Sequence, residues 1–196
     1  MAHWEYGLKK SVAMRNENGD NLMYREAQSN ELNEILQLYL HLHETKVSEN
    51  SLHLHDTWEQ IMDDENHHLI VCEVCGKLVS SCVCVIIPNL TRGVRPYALI
   101  ENVVTDEAYR GKGYASGCLD FAKKIAEEAG CYKIMLLTGA KDDKTLDFYR
   151  SAGYNSDEKT AFIQRLLRDI VFHTLSALNC LTFERSEVIH DRKGTE

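Results

Sequence analysis

An α/β fold built around one mixed sheet is predicted by three observations. Apolar segments switch between strand-like alternation and helical spacing along most of the chain. A nearly apolar strand over 97–104 runs into a glycine-rich turn and then a helix. The length, 196 residues, suits one such domain with short ends rather than two independent cores.

The elements follow in order. Residues 21–28 read as a first strand, with Ser29 or Asn30 placed to cap the helix behind it. Leu32, Ile35, Leu36, Tyr39, Leu40 and His43 recur at helical spacing and give that helix one apolar face. A second helix is expected from near Asp56, carrying Trp58, Ile61 and Met62. Two apolar runs on either side of Cys75-Gly76-Lys77 then predict a hairpin over 68–88. The strand 97–104 comes next, interrupted only by Glu101 and Asn102. A carboxylate in a buried strand has to be paired, hydrated or functional, so these two polar residues stand out. Ala115, Cys118, Leu119, Ala122, Ile125, Ala126 and Ala129 line one face of the following helix, which Gly130 terminates. A strand over 132–137, a helix over 143–152 and a last strand over 161–166 complete the series.

The two ends differ from this middle. Residues 1–20 show little periodicity and read as an N-terminal extension to a domain spanning 21–167. Residues 168–196 read as a C-terminal extension. Leu166 to Phe183 has the composition of an apolar helix, a candidate contact for a homodimer, and Glu184 to Glu196 is a charged tail.

Composition narrows the function classes. With 22 Lys+Arg against 30 Asp+Glu the formal charge is −8, which disfavours non-specific binding to nucleic acid or to an anionic membrane. No run reaches the apolar length of a membrane span, and Met1 to Asp20 lacks the apolar core of a secretory signal, so a cytoplasmic protein is expected. The seven cysteines then read as reduced thiols. Cys72 and Cys75 form a lone Cys-x-x-Cys, with His67, His68, Cys82 and Cys84 nearby. An isolated pair is a weak zinc signature, and small thiols suit a sheet interior, so no metal is expected. His41, His43, His53 and His55 have no carboxylate or cysteine at ligand spacing and read as solvated or partly packed.

The turn Arg110-Gly111-Lys112-Gly113-Tyr114-Ala115 carries the chemistry. A strand entering a helix through two glycines leaves several backbone N–H groups converging at the helix N-terminus, a natural site for phosphate. Gly111 and Gly113 allow close approach, and Arg110 and Lys112 add positive charge to the helix dipole. The three-glycine dinucleotide fingerprint is not met, because Ser116 follows Gly113 where that pattern continues, and no P-loop sequence is present.

These residues resemble the acetyl-CoA signature of the GNAT superfamily of N-acetyltransferases, Arg/Gln-x-x-Gly-x-Gly/Ala. The likeness continues through Gly130 to Leu136 and through Phe148-Tyr149-Arg150-Ser151-Ala152-Gly153-Tyr154, and with flanking elements it covers 21–167. It implies a mixed, mostly antiparallel central sheet flanked by helices, with acetyl-CoA as co-substrate and an amine as acceptor. Carried over, Asn102, Val103 and Val104 would hold the pantetheine arm on an exposed strand edge. Arg110, Gly111, Lys112, Gly113, Tyr114 and Ala115 would hold the pyrophosphate, and Tyr149 would donate a proton to the departing CoA thiolate. A phenol with a reference pKa near ~10 stays protonated at neutral pH yet can release its proton to a forming thiolate.

An alkyl amine must lose a proton before it attacks, which at pH 7 costs roughly 4 to 5 kcal/mol for a group of pKa ~10.4. Glu101, on the strand facing the expected thioester, is the candidate base; orienting the acceptor is its other reading. The region 97–154 also resembles glucosamine-phosphate N-acetyltransferases but departs from them at Asn102, where they carry aspartate, and at Thr138-Gly139-Ala140, where they place another carboxylate. The amino-sugar substrate is therefore not carried over, and the acceptor is expected to be an amine of a small molecule or a protein. Two other classes remain open: an acyl-CoA-binding sensor with little turnover, and a Cys/His metal-binding interaction protein.

Overall fold

The computed structural model describes residues 11–15, 19–42, 46–47 and 49–164. The chain divides into two units, Met1–Glu158 and Lys159–Glu196. In the first, six strands form one sheet in the order β1 to β6: β1 (Ser11–Arg15), β2 (Asn21–Glu26), β3 (His67–Val74), β4 (Lys77–Ile87), β5 (Tyr97–Thr105) and β6 (Ile134–Leu136). Every neighbouring pair is antiparallel except β5 with β6, which is parallel because helix α3 (Tyr114–Glu128) intervenes between them. The remaining helices are α1 (Leu32–Tyr39), α2 (Leu52–Asp63) and α4 (Asp143–Ser151). The expected mixed, mostly antiparallel sheet is therefore observed.

Alternation along the strands divides the core into two layers. On one face, Ile70 and Cys72 of β3, Cys82 and Cys84 of β4, and Ala98 and Ile100 of β5 pack with Cys118, Leu119 and Ala122 of α3. On the other, Leu69, Val71 and Val83 pack with Ile35 of α1 and Trp58 of α2, whose indole N–H donates to the Ser29 carbonyl at 2.8 Å. Burying one such aliphatic side chain contributes about 1.5–3 kcal/mol, and both faces of the sheet hold several. Cys72, Cys82 and Cys84 are fully buried sheet residues. Gly117 lets α3 approach β2, since a Cβ there would overlap the Tyr24 ring.

Several boundaries differ from the sequence reading. Ser11–Arg15, within the stretch read as an extension, is an edge strand whose side chains are mostly exposed, so it carries little apolar alternation to detect. Helix α1 begins after Glu31 rather than Ser29 or Asn30, and no side chain caps it. Glu31 instead accepts from the Gln28 N–H at 2.7 Å and from the buried Arg25 guanidinium at 2.8 Å, and Arg25 also donates to Glu73 at 2.7 Å. A buried guanidinium has to be paired, and satisfying it fixes where the helix starts. Helix α2 begins a turn earlier than Asp56, because Ser51 caps it by accepting from the Leu54 N–H at 3.2 Å.

Of the second unit, 159–164 are described and carry no regular secondary structure, so the strand expected over 161–166 is not formed at 161–164. An apolar run becomes a strand only where a neighbouring edge completes its ladder. Arg165, Leu166, the apolar segment to Phe183 and the charged tail lie outside the described residues, as do Met1 to Lys10 and His43. Among the described residues no helix is long and apolar enough to cross a membrane.

Candidate active site

The site is assembled where β5 stops pairing. The parallel ladder with β6 spans only Ala98–Ile100, while β5 continues to Thr105 against β4. From Glu101 to Thr105 the β6-facing edge of β5 therefore has no strand beside it among the described residues, and its backbone groups, apart from the Thr105 carbonyl that accepts from Arg110 Nε, are open to an extended, amide-bearing ligand.

A bulge sits at the head of this free edge. Val83 pairs with Glu101 and Ser81 with Val104, so the single residue Cys82 opposes both Asn102 and Val103. Asn102 takes a left-handed conformation, φ 52°, which few residues other than glycine tolerate. This conformation explains the asparagine better than polarity does. Glu101 and Asn102 are both exposed, whereas Val104 is buried, with its carbonyl accepting from Ser80 Oγ at 2.7 Å. Register opposite Val83 puts Glu101 on the α1–α2 face of the sheet.

Past β5, a short 3₁₀ turn (Glu107–Tyr109) leads into Arg110–Gly113 and the start of α3. Gly111 and Gly113 have φ of 76° and 79°, and a Cβ on either would meet no atom within 4 Å. Gly113 is the N-cap residue and, having no side chain, supplies no side-chain cap to the start of α3. These features fit an anion at the helix N-terminus, with open space in front of it. Arg110 is turned back onto the Thr105 carbonyl, Nε to O 3.2 Å, and Lys112 stands over the Tyr109 ring at 5.1 Å; both are exposed. Tyr114 is buried in the α3 layer and Ala115 is half-buried.

Tyr149 projects from α4 into the same region. It is half-buried, in contact with Phe148 (ring centroids 4.9 Å apart) and edge-on to Tyr154 (6.3 Å). Burial raises its pKa, and the nearby Cys82 and Glu101 act in the same direction. The structure thus brings Tyr149 and Glu101 within electrostatic range of each other and of the residue opposite the bulge, although 48 positions separate them in sequence. The Cys-x-x-Cys pair is not an assembled site: Cys72 is buried in β3, and Cys75 is exposed in the hairpin turn. Among the described residues no group of three or more His, Cys, Asp or Glu is arranged to hold a metal.

Two residues near the site carry no motif. Lys77, the first residue of β4, stands over the Tyr109 ring at 4.8 Å and pairs with Asp106 at 2.7 Å; that bond holds the Asp106 carboxyl below its usual range. Tyr39, the last residue of α1, is partly buried in the layer of Ile35 and Trp58, and that burial pushes its hydroxyl up to about 12. Only tertiary structure brings either one to the site, and helical spacing marks Tyr39 simply as part of an apolar face.

Comparison with known proteins agrees with this architecture. Residues 32–154 match the acetyltransferase (GNAT) family. Over 84 residues, 43% of this chain and 55% of the relative, the sequence is 36% identical to a glucosamine 6-phosphate N-acetyltransferase of Trypanosoma brucei brucei. Over 112 residues, 56% of this chain and 49% of the relative, it is 27% identical to an uncharacterised N-acetyltransferase of Methanocaldococcus jannaschii. The chain thus spans about half the length of the curated relatives it matches. A candidate acetyltransferase of Agrobacterium tumefaciens str. C58 superposes with a TM-score of 0.69 at 37% identity, covering 73% of this chain and 99% of that one. With a family match across most of the sheet and helices, and an open glycine turn where that family's signature falls, the chain belongs to the GNAT acetyltransferase family.

Proposed function

We propose that the protein is an N-acetyltransferase that moves the acetyl group of acetyl-CoA directly to a primary amine of a small molecule or protein. The observation that carries this reading is the continuity of the β5 edge Glu101 to Thr105, which has no strand beside it among the described residues, with a helix N-terminus entered through Gly111 and the N-cap Gly113. A pantetheine arm adds to the first as a strand would, and a pyrophosphate meets the second. Asn102, Val103 and Val104 hold the arm, and residues 110–115 hold the pyrophosphate, chiefly through backbone N–H groups. Arg110 and Lys112 contribute charge from the rim.

Acetyl-CoA supplies an acetyl group on a sulfur leaving group. Glu101, exposed on the α1–α2 face, takes the proton that the acceptor ammonium must lose before the neutral amine attacks the thioester carbon. Tyr149 gives its phenolic proton to the departing sulfur, and its burial supports that role by keeping the phenol neutral. No acylated protein side chain is needed: Cys82 and Cys118 are fully buried, and burial pushes both thiols away from the reactive thiolate form. A cytoplasmic setting goes with this reading, since acetyl-CoA and reduced thiols coexist there.

The test is CoA release measured against a panel of polyamines, amino sugars, amino acids and lysine-containing peptides, with acetyl-CoA binding measured in parallel. Release with at least one amine class, together with binding, is the expected result. Binding without release from any amine would favour an acyl-CoA sensor, and absence of binding would remove the proposal.

A further inference from the structure

Tyr97, Leu99 and Glu101 of β5 share one face of the sheet, because antiparallel partners do and these three pair with Ile87, Val85 and Val83 of β4. Val83 and Val85 belong to the α1–α2 layer. The parallel register of Leu99 with Met135 puts Met135 on the same face. Val83 is buried, but Val85, Ile87, Leu99 and Met135 are only half-buried. They leave a partly uncovered apolar shelf running from Glu101 toward the start of β5.

The far end of this shelf is cationic and aromatic. The Lys133 carbonyl accepts from the Ala98 N–H at 3.0 Å, which sets Lys133 beside Tyr97. Its ammonium stands 5.1 Å from the Tyr97 ring centroid and 5.6 Å from that of Tyr132, and the two rings meet edge-on at 6.3 Å. Lys133 is half-buried yet makes no ion pair or hydrogen bond through its side chain among the described residues. The nearby Arg95 guanidinium is already engaged, donating to the Gly130 and Cys131 carbonyls at 3.1 and 3.0 Å. Residues 88–100 and 129–141 contain no Asp or Glu, so neither segment offsets the Lys133 charge. A half-buried ammonium held by rings and lacking a counter-charge is disposed to take one from a ligand.

We propose that the acceptor is an amine with an apolar middle and a terminal carboxylate, its nitrogen at Glu101 and its carboxylate at the Lys133 ammonium. The inference rests on the acetyl-transfer reading and names its substrate class. Tyr97 and Glu101 are about 13 Å apart along the strand, at ~3.3 Å per residue. An extended eight-carbon amino acid with a hydrogen bond at each end matches that span. Sugar hydroxyls would find no side-chain partner on Val85, Leu99 or Met135, and a site that leaves polar groups unpaired discriminates against them. A phosphate brings about −1.5 to −2 charge at neutral pH, more than one ammonium offsets. The shelf therefore favours an amino carboxylate over an amino-sugar phosphate.

The test compares 8-aminooctanoate with octylamine, 1,8-diaminooctane and glucosamine 6-phosphate by CoA release, in the wild type and in Lys133→Gln, which keeps a stem against the rings and removes the charge. NMR titration of the protein–CoA complex with 8-aminooctanoate follows binding separately. In the wild type the amino acid is expected to exceed octylamine in kcat/KM at least about tenfold, chiefly through KM. Lys133→Gln should cut that ratio, and the affinity for 8-aminooctanoate, at least about fivefold each. Better use of octylamine, the diamine or the sugar phosphate would overturn the proposal, as would equal losses for octylamine and the amino acid in Lys133→Gln. Undetectable binding of 8-aminooctanoate, or an affinity that the variant leaves unchanged, would overturn it as well. A wild type that releases no CoA with any amine, yet binds 8-aminooctanoate through Lys133, would remove the acetyl-transfer reading and uphold the shelf as a site for this ligand class.

Discussion

The anion turn and the bulge lie on consecutive parts of one chain segment, yet they are made in different ways. The turn needs little beyond residues 110–116: two glycines with positive φ, two cations, and a helix whose first N–H groups lack a side-chain cap. The bulge is a relation between Cys82 of β4 and Asn102 and Val103 of β5, with Tyr149 of α4 brought near it. A contiguous site is specified by its own backbone. A distributed one exists only once the sheet has formed, and its properties depend on which helix covers which face.

The turn should therefore break completely under one local change. Gly113→Asp places a Cβ at φ 79° and a negative charge where the helix dipole draws an anion. Affinity for CoA measured by calorimetry should fall at least about 100-fold, equivalent to ~2.7 kcal/mol, in a protein that still folds. Retained affinity would show that the turn does not hold the nucleotide.

The bulge region should instead separate binding from chemistry. Tyr149→Phe removes a proton donor and almost no volume, so turnover should drop about 100-fold with CoA affinity within about twofold. Because Tyr149's pKa is raised above its ordinary ~10, the phenol is protonated throughout about pH 6 to 9, and the loss should be flat across that range. A loss appearing only at one end of the range would assign the proton to another group.

Glu101→Gln should have a smaller effect that varies with pH. Transfer should fall about tenfold near neutral pH, where the acceptor is an ammonium, and the deficit should shrink as the pH approaches the amine's own pKa. A pH-independent rise in KM alone would make Glu101 an acceptor-positioning residue.

The smallest effect concerns stability. Burial pushes the Tyr39 hydroxyl up to about 12, against an unfolded value of ~10. Between those values the unfolded chain releases the proton and the native chain retains it, so the neutral phenol's contribution is complete below pH ~10 and is lost as the pH rises toward 12. Tyr24 and Tyr154, also raised by burial, add to the same trend. Denaturant midpoints should fall over this window, and less steeply in Tyr39→Phe; an identical slope would place the Tyr39 hydroxyl in solvent.

Legibility in the sequence follows the same division. The hairpin, the strand 97–104, the α3 helix and the glycine turn are readable because periodicity and backbone-permissive residues are local signals. Glu101 and Asn102 stood out as polar interruptions, but the bulge did not, because a register slip is a relation between two strands and leaves no mark in either alone. Tyr39 was hidden for the same reason: helical spacing assigned its ring to an apolar face, correctly, and said nothing of its hydroxyl. The start of α1 was missed because a buried arginine on β2, rather than a capping serine, recruits Glu31. Edge strand β1 was missed because a strand with one partner and exposed side chains needs no apolar pattern.

The most direct measurement of the central claim is a crystal structure of the protein with CoA. The account predicts the pyrophosphate within hydrogen-bonding distance of backbone N–H groups at the start of α3, with the pantetheine amides paired to the β5 edge between Asn102 and Thr105 and the sulfur directed toward Tyr149. CoA bound elsewhere, or a pantetheine arm leaving that edge unpaired, would contradict it.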